Sequence, residues 1–188
     1  MKEKTIVCIS CYYKGYDFIE ELKKLNNRVI LITSENFKDK KWPWHAIDEV
    51  YYMTEIEPSV WNLDHLVQGF SHLKKTNKID AVIALDDYDV EKAALIRETF
   101  RIPGMGQTTQ RYFRDKLAMR QMAKDSNIDA PEFTAIFNDD IVNEFVDKIA
   151  APWVLKPRSE ASATGIIKIK SKDKLWEAIH QLGEKRHL

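Results

Sequence analysis

The chain has 188 residues, 44% hydrophobic and 11% aromatic, enough apolar mass for one large domain or two small ones. Its 29 basic and 29 acidic residues cancel, so no net field draws it to nucleic acid or to an anionic membrane surface. No apolar run approaches the ~18 residues of a membrane span. The N-terminal MKEKTIVCIS reads as a strand of a cytosolic protein rather than a signal peptide.

Thr5 to Ser10 (TIVCIS) is a short apolar strand. Cys8 and Cys11 stand at C-x-x-C spacing. Cys8 lies inside a β-branched run rather than at a helix N-terminus, and no second cysteine pair completes a zinc site. Both cysteines read as reduced thiols. From Tyr16, the apolar residues Phe18, Ile19, Leu22 and Leu25 recur at helical spacing. Arg28 to Thr33 (RVILIT) predicts a second strand and Ile47 to Met53 (IDEVYYM) a third. Between them, Lys38 to Trp44 (KDKKWPW) with His45 forms a basic-aromatic loop. It is either a surface that stacks a base or meets a partner, or a solvated loop with one anchoring tryptophan. Pro58-Ser59 predicts the start of a long helix, with Ser59 as N-cap and Val60, Leu63, Val67, Phe70 and Leu73 on one face.

Ile79 to Leu85 (IDAVIAL) is almost continuously apolar, the pattern of a central parallel strand covered on both faces. Asp86, Asp87, Asp89 and Glu91 follow, then a helix with Val90, Ala93, Ala94 and Arg97. Strands alternating with helices predict a parallel α/β sheet, in which ligands sit at the carboxyl ends of strands. Cys11 to Gly15 and Asp86 to Asp89 lie at two such ends. The acidic group reads either as a substrate site, with Asp86 and Asp87 as its candidates, or as helix N-caps that offset the dipole.

Pro103-Gly104-Met105-Gly106 breaks the pattern and places a boundary just after it, dividing the chain into residues 1–107 and 108–188. A helix is expected through Arg114 to Ser126, closed by Asn127 in a left-handed conformation. Pro131 leads into an expected strand, Glu132 to Phe137. Asn138 or Asp139 caps a helix with Ile141, Val142, Phe145 and Ile149. Two β runs then flank a loop in WVLKPRSEASATGIIKI (153–169). A last helix follows Ser171, with Leu175, Ile179 and Leu182 apolar. The histidines (His45, His65, His72, His180 and His187) show no metal-ligand spacing.

The loop of residues 158–165 admits two readings. Phosphates are bound by backbone N–H groups, hydroxyls and a positioned cation. Ser159, Ser162 and Thr164 supply hydroxyls, Ala161 and Ala163 keep the loop small, Gly165 adopts dihedrals other residues avoid, and Lys156 stands in the strand leading in. The other reading is a long hairpin with Lys156 reaching to solvent. There is no GxxxxGK[ST] and no GxGxxG, so a nucleotide site here is of another type.

Three segments in order resemble the ATP-grasp superfamily: IDAVIALDDYDVEKAALIRETFRIPGMG, RDKLAMRQMAKDSNIDAPEF and PWVLKPRSEASATGIIKI. The segments resemble those of biotin carboxylase-like and carbamoyl phosphate synthase-like members. The resemblance implies an α/β chain: a Rossmann-like parallel-sheet pre-ATP-grasp domain, then the first α+β lobe of an ATP-grasp fold. It implies ATP and Mg2+ as cofactors. Lys116 would contact ATP phosphates, Lys156 would reach the α- and β-phosphates, and Ser159 through Gly165, including Ser162 and Thr164, would be the flap. Such enzymes activate a small-molecule carboxylate as an acyl phosphate, which an amine or other acceptor attacks. Two departures are visible. The flap has fewer glycines than is common, and the family's metal ligands and adenine-contacting hinge would fall after Leu188. The expectation is therefore the N-terminal part of an ATP- and Mg-dependent ligase, with no ligation by these 188 residues alone. The alternative is a non-catalytic binding or dimerisation module of the same descent, a homodimer through its α/β domain.

Overall fold

The computed structural model describes residues 2–160 and 165–187. They fall into two compact units, divided between Gln110 and Arg111.

In the first unit, β1 (Thr5–Ser10), β2 (Arg28–Ser34), β3 (Glu49–Met53) and β6 (Ala81–Ala84) form a parallel sheet in the order β3-β2-β1-β6. The crossovers carry α1 (Tyr16–Lys24), α2 (Leu63–Thr76) and, after β6, α3 (Val90–Phe100). The short antiparallel pair β4 (Glu55–Glu57) and β5 (Val60–Trp61) precedes α2. Side chains alternate across the sheet, so the β-branched runs of β1 and β2 feed two cores. Val7, Ile9, Ile30 and Ile32 meet Leu66, Phe70, Ala93 and Ile96 on one side. Ile6, Cys8, Val29 and Leu31 meet Ile19, Leu22, Trp42 and Ala46 on the other. Burying each such aliphatic side chain contributes about 1.5–3 kcal/mol, which is why these two strands anchor the unit.

Two expectations change, and a third choice is decided. The apolar run around β6 does not make a central strand: among the described residues β6 is an edge of the sheet. Its faces are nevertheless covered, with Val82 in one core and Ala81 and Ile83 against the other. Arg97 Nε donates to Val82 O at 2.8 Å, so a side chain serves a carbonyl of the edge strand. Pro58-Ser59 does not start a helix. Ser59 has φ +66 in the turn between β4 and β5, and α2 begins at Leu63 with Asn62 accepting from His65 N at 3.0 Å. The amide carbonyl of Asn62 outcompetes the Ser59 hydroxyl because Ser59 is held in a left-handed turn instead of the extended cap conformation. In the basic-aromatic loop, Trp42 is buried and donates from Nε1 to Phe37 O at 3.1 Å, while Trp44 is exposed. One tryptophan therefore anchors the loop.

α4 (Gln107–Arg114) contains the division between the units. The second unit holds α5 (Lys116–Asp125), α6 (Asp139–Lys148), the antiparallel pair β7 (Trp153–Leu155) and β8 (Ile167–Ile169), and α7 (Lys172–Leu182). Its core is Val142, Ile169, Leu175 and Ile179, with Ile136, Val146, Trp153 and Leu155 packed against it. Asn138 caps α6 and Ser171 caps α7. Asn127, at φ +54, is left-handed after α5. The expected strand over Glu132 to Phe137 is irregular, because β7 pairs with β8 and no described strand offers this segment a ladder.

Candidate functional site

The expected continuous helix from Arg114 to Ser126 is two helices meeting at Asp115. Asp115 is extended (φ −89, ψ 111), and its Oδ1 accepts from Leu117 N at 2.9 Å and Ala118 N at 3.4 Å, starting α5. A short acidic side chain at this position competes with the helix backbone for amides, which ends α4 and caps the next helix. The same carboxylate is gripped from across the unit. Arg158 Nε donates to Oδ1 at 3.0 Å and Nη2 to Oδ2, a two-pronged ion pair between residues 43 apart. Burial pushes the Asp115 carboxyl up, but the bonds from Arg158 and from the α5 amides outweigh it and leave it below the usual carboxylate range.

Lys116 continues the junction. Its backbone N–H donates to Arg158 O at 2.9 Å. Its ammonium donates to Arg158 O at 3.3 Å and to Glu160 O. The Arg158 guanidinium also lies 5.8 Å from the centre of the Phe137 ring, within cation–π range. The first residues of the loop after β7 are thus fixed to the start of α5.

Lys156 follows β7 instead of lying within it, and its side chain is exposed. Lys116, Lys156 and Gly165 all line one cavity of about 820 Å³. Its walls include Phe133, Ile136, Trp153, Leu155 and Ile167, and cations outnumber carboxylates among its lining residues. Gly165 has φ +70, and a Cβ there would stand 2.7 Å from Pro157 Cγ. Only glycine closes the loop against that ring without strain. Ser159 is half-buried at the loop's start. Ser162 and Thr164 lie outside the described residues.

Asp86 and Asp87 lie elsewhere, at the carboxyl end of β6 in the first unit. Asp86 Oδ1 accepts from Tyr88 N at 3.1 Å, and Oδ2 forms an ion pair with Lys14 at 2.5 Å. Burial raises its carboxyl, but the Lys14 and backbone bonds prevail and hold it low. Asp87 is exposed. Asp89, not singled out among the site candidates, is the buried member. It accepts from Cys11 N at 2.7 Å and from Asp86 N at 3.0 Å, joining the ends of β1 and β6. Burial pushes its carboxyl up to about 6 against the pull of the Cys11 thiol and amide and of Lys92. Cys8 and Cys11 are free and buried, and desolvation pushes both thiols up to about 12. Among the described residues, no group of three or more His, Cys, Asp or Glu is placed to hold a metal ion.

The fold of this chain is similar to that of part of several ATP-grasp enzymes. Among the similar solved structures is an L-amino acid ligase from Bacillus licheniformis, with a TM-score of 0.67 and 21% identity, covering 97% of this chain and 43% of that one. A phosphoribosylglycinamide synthetase from Anaerococcus prevotii has a TM-score of 0.67 and 17% identity, with 96% and 42% covered. The biotin carboxylase domain of the 2-oxoglutarate carboxylase from Hydrogenobacter thermophilus, solved with MgADP, ADP and bicarbonate, has a TM-score of 0.72 and 15% identity, with 95% and 40% covered. The chain spans less than half the length of these structures. No protein-family model matches it, and no curated protein does.

The Arg158 partner was not legible in the sequence, since only folding brings residues 43 apart together. An aspartate just before the first turn of an apolar-periodic helix was a signal for Asp115 as a cap.

Two outcomes follow from these geometries. Gly165→Ala is expected to destabilise the second unit by ~1–2 kcal/mol, read as a lower urea midpoint, because it combines a left-handed backbone with a contact on Pro157. An unchanged midpoint would show that the loop base is not closed as described. Asp89 has a folded value of about 6 against an ordinary 3.8, so folding favours its protonated form. Its contribution is largest below about pH 4 and is lost as pH rises through about 6. The native chain should therefore lose stability relative to Asp89→Asn across that window. Parallel profiles would contradict the burial of this carboxylate.

Proposed function

We propose that the second unit is the first lobe of an ATP site and that Lys116 and Lys156 bind the nucleotide's phosphates. The single observation that carries this reading is the placement of Lys116, Lys156 and Gly165 on one cavity beside a loop whose root is fixed to Lys116. Two ammonium groups near a small-residue loop suit a polyphosphate, and the apolar walls suit a less polar part of the same ligand. Ser159, Ser162 and Thr164 are proposed as flap hydroxyls.

By this reading the first 107 residues are a pre-ATP-grasp domain and residues 108–188 the first subdomain of the ATP-grasp fold. The whole protein is then a cytoplasmic ATP-dependent ligase. A carboxylate oxygen attacks the γ-phosphorus of ATP, and the bond to ADP breaks. An amine or other acceptor then attacks the acyl carbon, and phosphate leaves. Magnesium, when bound, supplies charge neutralisation for that transfer. In this reading the described residues bind and orient the nucleotide. Asp86 and Asp87 are proposed as substrate-side residues at the carboxyl end of β6.

Titration calorimetry with ATP and magnesium tests the reading. The native chain should bind weakly, and Lys156→Ala should weaken binding about tenfold or more, the loss expected for one charge-assisted contact. No heat of binding, together with a concentration-dependent dimer in sedimentation, would support the non-catalytic dimerisation module instead.

A further inference from the structure

We infer that Asp115 is a positioning residue for the proposed nucleotide site: through Arg158 it latches the root of the loop to the start of α5, and so sets where Lys116 and Lys156 stand. The inference rests on the ATP reading for its consequence, but the latch itself stands on geometry.

The Asp115 side chain is 8% exposed and that of Arg158 32%, so the pair is largely withdrawn from water. A two-pronged ion pair in such a place fixes orientation as well as distance. Arg158 is joined to Lys156 through one residue, Pro157, whose ring fixes its own backbone angle and stands where a Cβ on Gly165 would fall. A shift at Arg158 is therefore passed to Lys156 on one side and to the closing glycine on the other. Arg158 also returns a carbonyl to the Lys116 backbone N–H, at 2.9 Å. The ammonium of Lys116 meets the carbonyls of Arg158 and Glu160, so the loop root is seated on the lysine that the phosphates are proposed to contact. An arriving phosphate is a stronger acceptor than a neutral carbonyl. The latch keeps the loop root in place while Lys116 shifts from those carbonyls toward the phosphate.

One carboxylate thus has two tasks, and two adjacent amides report them separately. The Leu117 N–H is capped by Asp115 Oδ1 and reports the cap. The Lys116 N–H is bonded to Arg158 O and reports the latch. Serine caps helices well but offers no charge to Arg158.

The experiment is amide hydrogen exchange on Asp115→Ser without nucleotide, followed by ATP titration of the same variant. The Leu117 amide should stay protected, the Lys116 amide should exchange about tenfold faster or more, and ATP affinity should fall about tenfold. Asp115→Ala should expose both amides. Should Asp115→Ser leave the Lys116 amide protected, the carboxylate is only a helix cap and the latch is overturned. If the latch amide responds but the native chain binds no ATP, the latch stands and the nucleotide reading fails. If ATP affinity is unchanged while the latch amide opens, the positioning role is refuted.

Discussion

A single desolvated carboxylate organises the second unit. Asp115 must satisfy its charge away from water, and among the described residues two helix amides and a guanidinium donate to it. Meeting that demand breaks the helical run after Arg114, starts α5 one residue later, and holds Arg158 at the root of the loop after β7. Once Arg158 is held, Pro157 and Lys156 are held with it, and Gly165 must be a glycine because the Pro157 ring stands where a Cβ would go. Lys116, Lys156, Arg158 and Gly165 all line the same cavity.

The first unit has a different organising constraint. β1 lies between β2 and β6 and contributes side chains to both cores, so its β-branched run is committed on every side. Its carboxyl end meets that of β6 through the buried Asp89, which accepts an amide from each turn. Asp86 is drawn into the same junction by Lys14 and by its own capping role. Its neighbour Asp87 is the exposed one of the two substrate candidates.

Much of the architecture was legible because it depends on local pattern. β-branched runs and 3.6-residue spacing located β1, β2, α1 and α3, and Asn138 and Ser171 announced their helices. The expectations that changed depended on partners. An apolar run cannot tell a central strand from an edge strand when Arg97 serves the edge. Glu132 to Phe137 has strand composition, but a strand exists only with a ladder. Lys116, Lys156 and Gly165, named from the family resemblance, come together on one cavity. Arg158 was not, because its significance lies in a contact 43 residues away.

The central claim is that a nucleotide binds the second unit at the cavity bearing the two lysines. Amide shift mapping on isotope-labelled chain, as Mg-ATP is added, tests it most directly. The account requires the largest shifts at Lys116, Lys156 and Gly165, with the residues from Asp86 to Asp89 unmoved. Shifts confined to the first unit, or none at all at saturating nucleotide, would contradict it.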